Sequence, residues 1–478
     1  MLWLKKNMPE EFDDSVMNQA ILSAGNDVGD LAMGLFGDYT EVPYSESISE
    51  MIPATQKLID DGVVNICEAS FSYDGCFCSV DILRNLGGNK VELYEVKSST
   101  EVKDIYKEDV SYQNWVLTKL GFDVQKVCLV HINNQYVRHG ELELDKLFTI
   151  VDLTDVAKSK LSEVEDNIAK FRKYLEQETE PECKVGSQCS SPYDCGYWSH
   201  CAVDMPEDGE PTVWSISRLR DKQWYYDNGY ITFQQLYDAG VLKGNYLQQV
   251  EVELKNLPPQ IKPKEVSKFL ETLSYPLYFL DFETFNPAIP LYDESSPYQQ
   301  IVFQYSLHYI EKEGGELKHK ECLSYPGTDP RRQIAEQLCK DIPLDVCTTA
   351  YNMGFEKGKI RDLAVLYPDL HDHLMNIHDN IKDIMIPFQK RWYYTKEMQG
   401  SYSIKYVLPA LFPDDPSLNY HNLEGVHNGG EASNTFLAMQ KMDKEELEKW
   451  REHLLRYCEL DTFAMAKVLE KLREVGKC

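Results

Sequence analysis

A short string in the second half of the chain, LDFETF at residues 280–285, places two acids inside an otherwise apolar run. The aromatic residues just before it, YPLYF, predict a buried strand. Residues two apart on a strand face the same side, so Asp281 and Glu283 should project together, about 6.6 Å apart. Two acids on one face of so apolar a strand need a cationic neighbour. Two metal ions roughly 4 Å apart would fit such a pair. The alternative is a strand-end cap or a salt-bridged pair.

Two later segments add acids in a fixed order. Residues 349–368 predict a strand followed by a helix, with Asn352 and Glu356 at the turn between them. Residues 450–472 repeat apolar side chains at helical spacing. Tyr457 and Asp461 are four apart on that helix and therefore share a face.

This ordered set, D-x-E, then N-x-x-F-E, then Y-x-x-x-D, resembles the DEDDy subgroup of DnaQ-like 3′–5′ exonucleases. The resemblance implies an RNase-H-like fold and a site for two divalent ions, Mg²⁺ or Mn²⁺. It implies that Tyr457 positions the attacking water. Glu356 stands where the family usually has Asp, which shifts the geometry of the site. The implied metal ligands are Asp281, Glu283, Glu356 and Asp461.

A second, independent set lies in the first half of the chain. Apolar and polar residues alternate along residues 68–85, which predicts a hairpin, and residues 89–100 predict the next strand. Asp81 lies on the hairpin, while Glu95 and Lys97 share one face of the next strand. SVD followed by EVK resembles the PD-(D/E)XK nuclease core. Two carboxylates can hold a hard cation, and the lysine can offset charge that develops on a phosphate. A surface charge pair is the alternative.

The flanking helices extend this resemblance. Residues 104–121 predict a helix that carries Gln113, similar to the motif with which RecB-like members contact the substrate backbone. Residues 24–37 resemble the first helix of that fold. Either Asp27 or Asp30 could replace the acid or histidine that the family usually has there.

Four cysteines follow at even spacings of six residues, in a loop that also contains Gly and Pro. Such a run predicts a metal or cluster site rather than a disulfide framework. It resembles the closure of RecB-like nucleases of CRISPR adaptation, which bind a [4Fe–4S] cluster through one N-terminal and three C-terminal cysteines. Thiolates also bind zinc, which remains the alternative. The cysteines are Cys183, Cys189, Cys195 and Cys201.

In that family the first cysteine precedes an LWL segment, and here LWL occupies residues 2–4. We therefore expect either that a preceding segment carries the fourth ligand or that Cys183 supplies it.

Length and composition predict a multidomain protein of the cytoplasm. There are 478 residues and 13 cysteines, an odd number that suits a reducing compartment. The predicted fold class is α/β. A RecB-like PD-(D/E)XK, restriction-endonuclease-like domain spans residues 1–205. A small helical linker with a Pro-rich joint spans 206–270, and an RNase-H-like domain, with a mixed sheet and flanking helices, spans 271–478. The chain as a whole resembles a little-characterised bacterial family that fuses two such nuclease domains.

The expected function is hydrolysis of phosphodiester bonds by a metal-dependent nuclease with two candidate active centres, in DNA repair, recombination or defence. The formal charge of −29 argues against broad electrostatic binding of nucleic acid. It implies a narrow basic channel, weak intrinsic affinity or a protein partner that delivers the substrate. No apolar run approaches the ~20 residues of a membrane span, so we expect no membrane partner. DNA is favoured as substrate. The alternatives are an RNA-processing 3′–5′ exonuclease and a non-catalytic nucleic-acid-binding protein with degenerate nuclease folds.

Overall fold

A computed structural model describes residues 1–16, 19–202 and 210–477. The chain divides into two compact units. The first contains Met1–Val203 and Pro287–Gln299, and the second contains Asp204–Asn286 and Gln300–Cys478. The segment Pro287–Gln299, which falls within the predicted 271–478 domain, thus belongs to the first unit. The predicted boundary at 205/206 lies outside the described residues.

The first unit alternates helices and strands. Its elements are α1 (Leu2–Asn7), α2 (Gln19–Ala32), β1 (Thr40–Glu41), α3 (Ile48–Asp60), β2 (Asn65–Tyr73), β3 (Cys76–Gly87), β4 (Lys90–Lys97), α4 (Asp104–Lys119), β5 (Asp123–Ile132), α5 (Leu144–Leu147), β6 (Phe148–Asp152), α6 (Thr154–Ser159), α7 (Leu161–Leu175) and α8 (Trp198–Cys201).

The six strands of this unit form one mixed sheet in the order β1-β2-β3-β4-β5-β6. The β2–β3–β4 meander is antiparallel, and β4 pairs with β5 in parallel through α4. Both faces of β4 are buried, because Val91 and Leu93 join one hydrophobic cluster while Tyr94 and Val96 join another. Glu95 and Lys97 extend the Val91–Leu93 face, where α4 packs.

The second unit begins with short helices and ends with a long one. Its elements are α9 (Lys222–Asp227), α10 (Phe233–Asp238), α11 (Gly244–Leu254), β7 (Gln260–Ile261), α12 (Pro263–Leu270), β8 (Leu277–Phe285), β9 (Ile301–Ile310), β10 (Leu317–Leu323), α13 (Arg331–Asp341), β11 (Cys347–Ala350), α14 (Gly354–Leu366), α15 (His371–Asp379), β12 (Ile381–Asp383), α16 (Ile386–Gln389), β13 (Tyr393–Tyr394), α17 (Ile404–Leu411), α18 (Gly429–Ala438) and α19 (Lys444–Gly476).

Five strands of this unit form a second mixed sheet, in the order β10-β9-β8-β11-β12. The central strand β8 runs antiparallel to β9 and parallel to β11. Leu280 and Phe282 face a cluster shared with helices α13, α14 and α15. The opposite face of β8 receives α18 and α19. The odd-numbered acids Asp281 and Glu283 therefore point toward α18 and α19.

The fold is mixed α/β, as predicted. The predicted hairpin, the strand after it and the helix that carries Gln113 are β2, β3, β4 and α4. The predicted strand–turn–helix and the C-terminal helix are β11, α14 and α19. No helix among the described residues combines the length and apolar character needed to cross a membrane.

Candidate active sites

The acid pair of the second unit lies on β8, with Asp281 in the middle of the strand and Glu283 two residues before its end. Asp281 stands opposite Ser306 of β9, and Glu283 stands opposite Gln304. The pairing register shifts immediately after Glu283. A ligand oxygen from each acid lies within 4.8 Å of the other and of the Cys458 sulfur. The strand period thus brings both carboxylates to one place.

The third acid, Glu356, enters on the first turn of α14 and is 2% exposed. Asn352 adopts the left-handed conformation, with φ of 71°. Its backbone N–H donates to Asp383 Oδ1 at 3.0 Å, and the Met385 N–H donates to the same oxygen at 2.9 Å. Asp383 therefore fixes the turn that aims α14.

The long helix α19 supplies the remaining two residues. Tyr457 and Asp461 are both buried and lie one turn apart. The Tyr420 hydroxyl donates to Asp461 Oδ1 at 2.6 Å. The rings of Tyr420 and Tyr457 lie with their centroids 6.1 Å apart. Two tyrosines thus flank the Asp461 carboxylate.

Burial raises the pKa values of all four acids, and repulsion from neighbouring carboxylates adds to it for Asp281, Glu283 and Glu356. Burial, followed by repulsion from Asp461, holds the pKa of Asp281 and of Glu283 well above their ordinary range. Burial raises the pKa of Glu356 to about 8, with Asp383 and Asp461 adding to the effect. Burial raises that of Asp461 to about 6, although Tyr420, Lys405 and Tyr457 oppose it.

This donor set fits divalent cations. Among the described residues, no lysine or arginine forms a salt bridge with any of these acids, and Glu356 Oε2 has no hydrogen-bond partner. Buried carboxylate oxygens without cations are the ligands that Mg²⁺ and Mn²⁺ prefer. Asp281 and Asp461 also line a cavity of about 490 Å³, together with Tyr351, Asn352 and Arg218. The cavity gives Asp281 and Asp461 access to a ligand.

The acids of the first unit differ from those of the second in that a lysine side chain bonds to two of them. Lys97 Nζ donates to Glu95 Oε1 at 2.6 Å and to Asp109 Oδ2 at 2.7 Å. Gln113 Nε2 donates to Glu95 Oε2 at 2.7 Å. The Val96 N–H donates to Asp81 Oδ2 at 2.6 Å. All four predicted residues of this centre therefore lie together, and Asp109 joins them.

Burial raises the pKa of Glu95 to about 7, with Asp109 adding to the effect and Lys97 opposing it. Burial and the Glu95 charge hold the pKa of Asp81 well above its usual range. Burial would lower the pKa of Lys97, but Glu95 and Asp109 together outweigh burial and raise it. The lysine therefore stays charged at neutral pH.

Glu68 extends this centre. Ser79 Oγ donates to Glu68 Oε2 at 3.2 Å. Burial raises the pKa of Glu68, and the charges of Glu41 and Asp30 add to this. Glu68 in turn contributes to the raised pKa of Asp81. Of the two acids that the sequence left open on α2, Asp27 and Asp30, it is Asp30 whose charge reaches Glu68.

The four evenly spaced cysteines line one cavity of about 410 Å³, together with residues 1–4. All four are free thiols. Burial raises the pKa of Cys201, and the charges of Cys183, Cys195 and Cys189 add to this. A tetrahedral zinc site needs sulfurs about 3.8 Å apart. No three of these described sulfurs lie within 4.8 Å of one another. Four thiols that line one cavity are a donor set that either an iron–sulfur cluster or a zinc ion can use.

Comparisons with known proteins assign no activity. Residues 278–403 match a domain of unknown function (DUF2779). This span includes the three acids of β8 and α14 but ends before α19. The chain is 28% identical over 247 residues to an uncharacterized protein of Ureaplasma parvum, covering 47% of this chain and 35% of that protein. It is 24% identical over 215 residues to an uncharacterized protein of Mycoplasma genitalium, covering 42% and 32%.

A homologue of the latter in Mycoplasma pneumoniae is 26% identical over 206 residues, covering 40% of this chain and 31% of that protein. The chain thus spans about a third of the length of the curated relatives it matches. No solved structure matches it significantly.

Several residues of these sites had no sequence signal that we recognised. Tyr420 reaches Asp461 from a loop 41 positions away. Gly429, the first residue of α18, lies so close that an added Cβ would sit 3.5 Å from Glu283 Oε2. Asp109 could have been found, because it precedes Gln113 by one helical turn and so shares its face.

The buried acids predict a specific dependence of stability on pH when metal is removed. The pKa of Glu356 rises from 4.5 unfolded to about 8 folded, so the folded state binds more protons between these values. The free energy of unfolding should therefore fall as pH rises from about 5 to 8. Urea unfolding in chelator, repeated with excess Mg²⁺, measures this. Mg²⁺ should stabilise most at the alkaline end.

Glu356→Gln should reduce the decrease in the free energy of unfolding between about pH 5 and pH 8. The matched control is Glu316→Gln, at an exposed position, which should leave that decrease unchanged. A stability that is independent of pH over this window in chelator would contradict the assignment of these acids as a metal site.

Proposed function

We propose that this protein is a metal-dependent nuclease that hydrolyses phosphodiester bonds, with DNA favoured as substrate. The observation that carries the proposal is the convergence of four carboxylates from β8, α14 and α19, three of them buried, with no lysine or arginine salt-bridged to them among the described residues. The sheet supports it as well: a central acid-bearing strand in a mixed sheet with flanking helices is what the RNase-H-like resemblance implies.

The chain's own residues have separable roles in this proposal. Asp281, Glu283, Glu356 and Asp461 would hold two divalent ions, which would supply Lewis acidity and an activated water when bound. Burial and the nearby carboxylates raise the pKa of Tyr457, so its hydroxyl remains protonated and can donate a hydrogen bond. Tyr420 orients the Asp461 carboxylate through its 2.6 Å bond.

Arg218 gives the proposed centre a way to bind an anionic strand despite the acidic composition. Its guanidinium lies over the Tyr402 ring at 4.2 Å, and both side chains line the cavity that Asp281 and Asp461 also line. A positive charge beside an aromatic face suits a phosphate next to a stacked base. Such a local positive charge could bind a phosphate even though the chain as a whole carries a formal charge of −29.

The β3–β4 centre of the first unit supports a second nuclease activity. Asp81 and Glu95 would hold the cation, and Gln113 fixes Glu95. Lys97 remains charged and could offset the charge that develops on the scissile phosphate. The order α3-β2-β3-β4-α4-β5, with Asp81 and E-x-K on adjacent strands, is in keeping with the PD-(D/E)XK resemblance.

Asp281→Asn and Asp461→Asn should each lower exonuclease activity by about 10²-fold or more, because each removes charge from the metal site. The assay uses end-labelled single- and double-stranded DNA and RNA with Mg²⁺ or Mn²⁺. Asp362→Asn, an exposed acid on α14, is the control and should cut at the wild-type rate.

Wild-type rates in both site variants would refute the assignment. A chain that binds nucleic acid but never cleaves it, with any metal or substrate, would favour the non-catalytic alternative. Preferential cleavage of RNA would favour the RNA-processing alternative.

Lys97→Ala should abolish cleavage that persists in the Asp281→Asn background, because the two centres use separate ligands. Lys90→Ala, an exposed lysine on the same strand β4, is the matched control. The two double variants are compared on circular and end-labelled DNA. Equal residual cleavage in both would mean that Lys97 takes no part in catalysis.

The cysteine cavity supports a [4Fe–4S] cluster held by Cys183, Cys189, Cys195 and Cys201. Protein purified without oxygen should be brown and contain iron and sulfide, and Cys195→Ser should bleach it and lower its solubility. Cys339→Ser, a half-buried cysteine on α13, should keep the colour. Stoichiometric zinc without iron would replace the cluster with the zinc alternative. Neither metal, with unchanged stability in Cys195→Ser, would leave these cysteines without a ligand role.

A further inference from the structure

Two histidines face each other in the second unit, apart from the four proposed metal ligands. His308 of β9 and His319 of β10 are a direct cross-strand pair. Their ring centroids are 4.5 Å apart, and the rings are tilted by 30°. Like charges directly opposite on a sheet are destabilising, so this pair cannot stay doubly protonated at low cost. The close approach of two imidazoles calls for neutral rings or an ion between them.

A pair of hydroxyl groups orients both rings. His308 Nδ1 lies 2.7 Å from Thr462 Oγ1, and His319 Nε2 lies 2.9 Å from Ser306 Oγ. The two hydroxyl oxygens are 2.6 Å apart. The Thr462 hydroxyl also donates to the Glu459 carbonyl oxygen at 3.2 Å.

These bonds favour one arrangement of protons. Because the Thr462 hydrogen goes to the backbone, Thr462 Oγ1 accepts from His308 Nδ1–H and from the Ser306 hydroxyl. Ser306 Oγ then accepts from His319 Nε2–H. Each ring therefore carries its proton on the nitrogen that faces a hydroxyl, and the other nitrogen keeps its lone pair. A ring fixed in this way is the usual form of a metal-ligating histidine.

Glu459 completes a set of three ligands. It projects from α19, and one ligand atom from each of His308, His319 and Glu459 lies within 4.8 Å of the other two. His319 Nδ1 is 3.9 Å from Glu459 Oε1. Burial, helped by His319, lowers the pKa of His308 to about 4, so the ring is neutral at pH 7. His308 is buried while Glu459 is exposed, so the set opens toward solvent.

We propose that His308, His319 and Glu459 bind one Zn²⁺ ion at a site separate from the carboxylate centre. Two imidazoles and one carboxylate are a ligand set that zinc accepts, whereas Mg²⁺ prefers oxygen donors alone. Water can complete the coordination of a zinc ion that has three protein ligands.

The site would tie α19 to the β9–β10 hairpin. Glu459 lies between Tyr457 and Asp461 on the helix, so an ion held there would restrain the turn that presents both residues. Zinc binding itself does not depend on the proposed nuclease activity.

The test measures zinc on the full-length chain with excess Mg²⁺ present. Chelator-treated protein is loaded with Zn²⁺, desalted and analysed for metal, and its thermal midpoint is recorded with and without zinc. His319→Asn and Glu459→Gln should each retain one fewer zinc per chain than wild type and should lose the zinc-dependent rise in the midpoint. Zinc on the cysteines contributes equally to all variants and cancels in the difference.

His378→Asn is the control, because His378 is a half-buried histidine of α15 whose Nδ1 lies 2.7 Å from Asp379 Oδ1. It should load zinc as wild type does. Glu459 is exposed, so Glu459→Gln keeps the test valid if His319→Asn fails to fold. Wild-type zinc content and midpoint shift in Glu459→Gln would overturn the proposal.

Asp281→Asn separates this inference from the proposed function. It should lose the exonuclease activity of the carboxylate centre yet retain every zinc that wild type holds. Loss of one zinc in Asp281→Asn would place the ion at the carboxylate centre and overturn the histidine site.

Discussion

Repulsion among buried carboxylates is the constraint on which the second unit depends. Asp281, Glu283, Glu356 and Asp461 come from three elements far apart in sequence, yet the charges of Glu283, Glu356 and Asp461 each raise the pKa of at least one other member. Removing a carboxylate from water costs several kcal/mol unless a charge or donor compensates. The fold supplies Tyr420 and the distant Lys405, which act on Asp461, and leaves Glu356 Oε2 without a partner. Bound cations would offset the free-energy cost of holding these four carboxylates together.

The first unit also removes carboxylates from water, but there side chains of the chain itself compensate part of the cost. Lys97 and Gln113 saturate both oxygens of Glu95, and Asp109 shares the lysine. One lysine of the chain thus offsets part of the acidic charge of that centre, so its folding should depend less on bound metal. The second unit has no such lysine within bonding distance among its described residues. Metal should therefore matter for activity at both centres but for stability mainly at the second.

Many of the residues that meet at the two carboxylate centres could be predicted from the sequence, because they are only two or four positions apart on one strand or helix. The two-residue strand period places Glu95 with Lys97, and the four-residue helix period places Tyr457 with Asp461. The residues that could not be predicted arrive from loops or from other strands. Tyr420 has no periodicity to mark it, and His308 meets His319 only through the register of β9 against β10. Register depends on the whole hairpin, which no local motif encodes.

The helix α19 contributes residues to both the carboxylate centre and the proposed histidine zinc site of the second unit. Asp461 faces the carboxylates, while the next residue, Thr462, holds His308 and Ser306. Ser306 itself stands opposite Asp281 across β8 and β9. A shift of α19 along its axis would thus break the hydroxyl network and displace Asp461 in the same movement. Packed elements of this kind have few intermediate positions, because the interior is close-packed. An ion bound by the histidines therefore favours the helix position in which Asp461 meets Asp281.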